Sequence, residues 1–471
     1  MISKLLECFS ESDEKSSVLS RVLNQSAMHL ESLVAFCWIH PQWYLPDEPP
    51  LRLLALVGRD PDTGTVKVVI TDKVSLAEEW LANQNELSDT AKKVEHNISI
   101  SLPLFAEHLD APIIVLDGPI PLVPVVIPKP WGREIWYTGI EERGQSRIGN
   151  QEYSIPLPWL LSLTGDSLLG AGSRELILLK VLDPLVEPVY GDLYFELHEE
   201  KQEVYVVVHV DESAWPAGQG TIRYGFNPEV QVEYEGDEGF RKAYGDSVRR
   251  YEEVRRKVDR YYDTYRGDEG IGADELIPVS KLKQWREALP KALLADEGEA
   301  RLEMDRFTQL MPLSPGDVVK VPCLLPHALQ HGVRTVEFQT PVYERKILSF
   351  AQKVLTQEHW DTDEAIELMS TDAPVSPQLE VLESSEYWCR ESIVEFDDFS
   401  VERVTLTANA RWTLQVVDCY ALVMVVAGPV MMGGSLFQSE DSALIPVGNA
   451  GVELSASGDQ PAIVLVSRPV T

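Results

Sequence analysis

Between residues 191 and 207 the chain reads GDLYFELHEEKQEVYVV. Two β-prone runs, YFELH (194–198) and EVYVV (203–207), flank a short polar turn. Side chains alternate faces along a strand, so Glu196 and His198 share one face, and Glu203, opening the returning strand, can face the same interior. Up to three oxygen or nitrogen donors would then converge, a set suited to a divalent ion. Taken alone, the stretch also reads as a solvated acidic hairpin, with Glu199, Glu200 and Lys201 in its turn. A second stretch, GDVVKVPCLLPHALQHG (316–332), ends a strand in a proline-punctuated turn that presents His327. His209, at the end of the following strand, and His331, four residues past His327, are read as non-ligands.

Short β runs surround these segments: ELILLKVLD (175–183), EVYVVVHVD (203–211) and GTIRYGF (220–226), with GDVVKVP (316–322) and TVEFQTP (335–341) further on. This spacing predicts a sandwich or small barrel rather than a parallel α/β sheet. Residues 239–310 interrupt it with a helical insert. Phe240, Tyr244, Val248, Tyr251, Val258, Tyr262 and Tyr265 recur at multiples of three or four, and nine Arg or Lys against five Asp or Glu between Arg241 and Arg266 make the helix locally basic. A second helix, KLKQWREAL, can start after Ser280 as its cap.

Residues 1–118 read as a separate α+β segment: LRLLALV and TVKVVITD as strands around GRDPDTG, then VSLAEEWLANQNELSDTAKKV as a helix. Its histidines, His29, His40, His96 and His108, are isolated and are read as surface or packing residues. DGPIPLVPVVIPKPWGREIW (117–136) suits an extended linker running into a first strand. After an acidic, helix-prone connector near 355, a last β-rich section from about 378 contains no histidine and offers no metal site.

The 471 residues allow two to four domains. No apolar run approaches the length of a membrane span, and the N-terminus lacks the pattern of a secretory signal, so the expectation is a cytoplasmic protein. A net charge of −34 argues against non-specific binding to nucleic acid or anionic membrane. Five scattered cysteines are expected as free thiols, which leaves any metal to histidines and carboxylates.

These motifs resemble type I phosphomannose isomerase (mannose-6-phosphate isomerase), a family of the cupin superfamily. The resemblance rests on a glycine followed by ligand-x-His-x4-Glu at 191–203, on Gly-x5-Pro ahead of His327, on KPWGREIW (129–136), and on PHALQHG followed by VEFQTP. It covers roughly residues 125–471. It implies a mainly β fold of cupin (jelly-roll) β-barrels: a metal-binding barrel from 119–238 plus 311–355, the helical insert 239–310, and a connector with a second, degenerate cupin barrel at 356–471, behind the N-terminal α+β segment 1–118.

Carried over, the family's four zinc ligands fall on Glu196, His198, Glu203 and His327; at Glu196 a carboxylate stands where the family has an amide. The implied cofactor is one divalent ion, most simply Zn2+, with manganese or iron also compatible with two carboxylates and two imidazoles. The implied activity interconverts mannose 6-phosphate and fructose 6-phosphate through a cis-enediol, with a small sugar phosphate as partner. Glu337 falls where the family's base would stand. The family's arginine falls on Arg345, with Lys346 as runner-up, and parity along a regular strand from Glu337 selects Arg345. Two other classes remain open: an iron-dependent oxidative cupin, and a non-catalytic sugar-binding or regulatory cupin.

Overall fold

The computed structural model describes residues 3–7, 19, 33–59, 64–91, 102–170, 175–273, 275–374 and 379–470. His29 and His96 lie outside them. The chain forms two compact units, one of Val126–Ile135 with Leu179–Gln378, the other of Met1–Val125, Trp136–Leu178 and Leu379–Thr471. Mainly β, with several antiparallel sheets and a helical insert, it has the class of fold expected from the alternating runs.

The first unit is a barrel of two sheets. One orders Val318–Val321, Glu203–Val210, Val333–Gln339, Leu178–Pro184, Gly132–Trp136 and Val125–Lys129. The other orders Thr308–Leu313, Gly220–Phe226, His327–Leu329, Phe195–Leu197 and Lys346–Ser349. Tyr205, Val207, Ile222, Tyr224, Val319 and Ala328 from both sheets share one apolar core, the interdigitation that facing sheets require.

The expected hairpin at 191–207 does not form. Phe195–Leu197 pairs with His327–Leu329 and Lys346–Ser349, whereas Glu203–Val210 pairs with Val318–Val321 and Val333–Gln339. Residues 199–202 therefore carry the chain from one sheet to the other. The alternation of the two runs is that of strands facing a common interior, and it does not say whether the two pair with each other. Gly191 permits the tight entry to this segment: a Cβ there would collide with the carbonyl oxygen of Leu185 and with His331 Cβ.

The insert opens with the helix Gly236–Glu269, which buries Phe240, Tyr244, Val248 and Tyr251 in the barrel core and ends at Gly270, whose left-handed φ of 69° closes its last turn. Val258 and Tyr262 continue its apolar stripe onto Trp285 of Val279–Glu287. Lys291–Asp305 completes the insert.

In the other unit, a five-stranded sheet (Ser3–Glu7, Leu33–His40, Leu51–Arg59, Val66–Thr71, Ile114–Val115) packs on the helices Val74–Ala91 and Leu102–Leu109 through Leu54, Leu56, Val69, Leu81 and Phe105. The C-terminal strands, joined by Ile120–Val123, Arg147–Gly149 and Ser154–Pro156, form a nine-stranded sheet, and further C-terminal strands a four-stranded one, around a core including Val404, Leu414, Val423, Val452 and Val464. The expected linker at 117–136 is instead strand: Ile120–Val123 lies inside the nine-stranded sheet. Buried Ile120 and Leu122 alternate with exposed Pro121, a half-buried strand whose proline content masks its period. Among the described residues Cys37, Cys323, Cys389 and Cys419 form no disulfide, and no helix is long and apolar enough to cross a membrane.

Candidate metal centre

The barrel interior gathers His198, Glu203 and His327. All three are buried, and each offers a ligand atom within 4.8 Å of the others. Glu203 opens one strand of the six-stranded sheet, and His327 opens a strand of the facing sheet directly beside Glu196. The Nε2 atoms of His198 and His327 lie 3.4 and 3.2 Å from Oε1 and Oε2 of Glu203. Glu196 stands at the edge of this group, its Oε1 3.9 Å from His198 Nε2 and its buried Oε2 without a hydrogen-bond partner.

The other imidazole nitrogens fix the tautomers. His198 Nδ1 is 3.0 Å from the carbonyl oxygen of Glu344, and His327 Nδ1 is 3.0 Å from that of Leu325. A carbonyl only accepts, so each Nδ1 carries the hydrogen, and in the neutral ring each Nε2 presents a lone pair. Neither Nε2 has a hydrogen-bond partner among the described residues, and both face carboxylate oxygens. Lone pairs opposed at such distances repel unless a proton or a cation lies between them. A carbonyl on Nδ1 with Nε2 directed inward is also the arrangement that orients histidine ligands. The residues present thus fit a divalent ion, held by His198, Glu203 and His327 with Glu196 alongside.

Two further groups bind Glu203: Lys201 Nζ lies 2.6 Å from Oε1, and the Tyr205 hydroxyl donates to Oε2 at 2.5 Å. Burial works to raise the Glu203 carboxyl, but the Lys201 charge, joined by the two imidazoles when a proton sits on Nε2, outweighs it and holds it well below the usual carboxylate range. Burial, then the Lys201 charge, lowers His198. For His327 burial acts downward, but Glu203 raises it above the ordinary imidazole value. Lys201, assigned to the turn in sequence, is in fact buried.

Glu337 lies across the ladder from Tyr205, with Lys180 Nζ 3.1 Å from its Oε1. Burial pushes its carboxyl up to about 8, against the pull of Lys180. Lys180 also feels Glu134, which in turn pairs with Lys129 at 3.1 Å, so opposite charges alternate across neighbouring strands. Sequence reasoning passed over Lys180; its signal was a lone charge inside the apolar run ELILLKVLD. Arg345 places its guanidinium over the Tyr194 ring at 4.5 Å, with Nε 3.8 Å from Glu196 Oε2 and Nη2 donating to Thr356. Lys346 turns elsewhere, pairing with Glu199 and Glu364. His209 and His331 are not in the cluster; His331 pairs with Asp192 and stacks on Trp215.

No protein-family profile matches the chain, and no curated protein matches it in sequence. Solved structures do match in fold. A mannose 6-phosphate isomerase from Bacillus subtilis superposes with a TM-score of 0.50 at 14% identity, over 74% of this chain and 99% of that one. A zinc-bound mannose 6-phosphate isomerase gives 0.53 at 13% identity, over 75% and 100%. The apo form of the enzyme from Salmonella typhimurium gives the same values. The chain therefore has a cupin-like fold similar to that of the type I phosphomannose isomerases.

Proposed function

We propose that this chain is a metal-dependent aldose–ketose isomerase that interconverts mannose 6-phosphate and fructose 6-phosphate. The observation that carries the reading is the pair of lone-pair-bearing imidazole nitrogens directed at one buried carboxylate, a donor set that a divalent ion relieves. The fold likeness to mannose 6-phosphate isomerases supports the choice of reaction.

Aldose–ketose isomerisation moves a proton from carbon 2 to carbon 1 of the open-chain sugar through a cis-enediol, while the hydroxyl proton passes between the two oxygens. His198, Glu203 and His327 would hold a divalent ion, most simply zinc, which would supply Lewis-acid stabilisation of the developing oxyanion. Glu337 is the base of this proposal: a buried carboxyl raised to about 8 can take the carbon-2 proton and return it at carbon 1. Lys180, at ion-pair distance, holds that carboxylate in position. Arg345 presents a permanent charge to the phosphate or the enediolate. A coupled assay on both sugar phosphates, with and without chelator, tests the reading: turnover lost with chelator and restored by zinc is expected.

One observation favours a second reading, a non-catalytic sugar-binding or regulatory cupin. The Lys201 ammonium already lies 2.6 Å from Glu203, where it partly neutralises the carboxylate a metal would need. Retained sugar-phosphate binding without turnover in metal-loaded protein would decide for it. An iron-dependent oxidative cupin would instead consume oxygen in the same samples.

A further inference from the structure

A cavity of about 300 Å³ lies between the helical insert and the segment following Lys346–Ser349, and no member of the His198, Glu203, His327 group lines it. Six cations do: Arg255, Arg266, Lys283, Arg286, Arg301 and Lys353. No carboxylate is among its lining residues, although the chain carries a net charge of −34. Three of the cations are compensated from behind: Arg255 by Asp259 at 2.8 Å, Arg286 by Glu297 at 2.7 Å and Lys353 by Asp263 at 2.6 Å.

The other three form no salt bridge among the described residues. Arg266 is buried and, among the described residues, donates to the backbone carbonyls of Gly272 and Glu275. Lys283 is exposed and lies 6.0 Å from the Tyr190 ring centroid, and Arg301 feels the charges of Glu297 and Asp305 without forming a salt bridge with either. Like charges held around one cavity repel, and the repulsion is screened less there than on an open surface. An anion entering the cavity would remove that cost. Trp285 and Tyr262, both largely buried with ring centroids 5.7 Å apart, and Ile277 and Leu282 supply an apolar wall beside the charges.

From this we infer a second ligand site, separate from the candidate metal centre, that binds a small organic anion carrying a phosphate and a flat aromatic ring, the chemistry of a nucleoside monophosphate. The phosphate engages Arg266, Lys283 and Arg301, and the ring lies against Trp285 and Tyr262. The site is independent of the proposed isomerase activity.

Isothermal titration of the full chain with adenosine monophosphate, inorganic phosphate and adenosine at low salt tests it. One equivalent of adenosine monophosphate is expected to bind, more tightly than either fragment. The double variant Lys283→Gln, Arg301→Gln should bind about a hundredfold more weakly, since charge-assisted contacts of this kind are worth about tenfold each. Its melting temperature without ligand should not fall, because neither residue forms a salt bridge and removing two of the six like charges relieves their repulsion. His327→Ala should bind as the parent does, which keeps the result distinct from any failure of the metal-centre reading. Absence of binding at millimolar ligand, undiminished binding by the double variant, or loss of binding in Arg345→Ala would each overturn the inference. Equal affinity for inorganic phosphate would remove the ring from it.

Discussion

Nε2 of His327 and Oε2 of Glu203 lie 3.2 Å apart, and in the neutral imidazole both atoms carry lone pairs because the ring hydrogen is committed to the Leu325 carbonyl. Two species can occupy that gap, a proton or a metal ion, and they compete. The parent protein is expected to retain close to one equivalent of zinc through gel filtration at pH 8 and to release it as pH falls through the imidazole range. The direction follows from His327, whose affinity for a proton is raised above the ordinary value. His327→Ala should abolish stoichiometric binding. Metal analysis by mass spectrometry checks both outcomes, and a full equivalent in the variant would relocate the site.

Lys201 competes for the same carboxylate. Its ammonium is 2.6 Å from Glu203 Oε1, so loading a divalent ion must weaken or displace that pair. Removing the cation while keeping the stem should favour the metal. Lys201→Met is expected to bind zinc about tenfold more tightly or better in a chelator competition, a difference of roughly 1.4 kcal/mol that a charge at this range readily supplies. Weaker binding in Lys201→Met would mean that the lysine supports the metal site rather than opposing it.

Much of this site was readable in the chain. Period-2 alternation put Glu196 and His198 on one face, and the proline-rich turn singled out His327, because side-chain direction along a strand is a local property. The partner of a strand is not local. GDLYFELHEEKQEVYVV has the composition of a hairpin, yet its halves pair with strands more than a hundred residues away, and no periodicity encodes that choice. Lys201 was hidden for the same reason: a lysine beside two glutamates reads as a solvated turn until the crossover buries it against Glu203. Pro121 disguised a strand inside the nine-stranded sheet.

Gly191 is a test of the crossover geometry. A methyl group there meets the Leu185 backbone, which cannot move as a flexible side chain would, and the facing His331 Cβ. Gly191→Ala is therefore expected to cost about 1–3 kcal/mol, the range of overpacked interiors, read as a lower urea midpoint at unchanged slope. A neutral result would mean that the entry to Phe195–Leu197 adjusts freely.

Glu337 carries a pH signature. Its folded-state carboxyl, raised to about 8 by burial, holds a proton that the unfolded chain has released above its ordinary value of 4.5. Its contribution to stability is therefore fully present below about pH 4.5 and is lost as pH rises through 8. In metal-free protein, stability relative to Glu337→Gln should fall across that window and level off above it, measured by denaturant unfolding at several pH values. A difference between the two proteins that rose with pH would show that Lys180 dominates and keeps the carboxylate ionised.

Arg345 and Lys346 are adjacent, but the strand from Glu337 ends at Gln339 and the next begins at Lys346, so parity alone does not set their directions. The observed contacts do. Arg345 lies over Tyr194 and within 3.8 Å of Glu196, toward the metal-centre group, whereas Lys346 reaches Glu199 and Glu364 on the protein surface. Exposed pairs of the second kind contribute little, and a guanidinium aimed at a reacting anion contributes most when charge develops. In the proposed isomerase, Arg345→Ala is expected to lower kcat/KM for mannose 6-phosphate by about a hundredfold or more, with zinc content unchanged. Lys346→Ala should stay within about twofold, as loss of an exposed pair allows. Arg345→Lys should recover only part of the loss, because an ammonium cannot reproduce the planar fork over Tyr194. The reverse order of effects would give the catalytic role to Lys346, and two mild variants would remove the cation from the mechanism altogether.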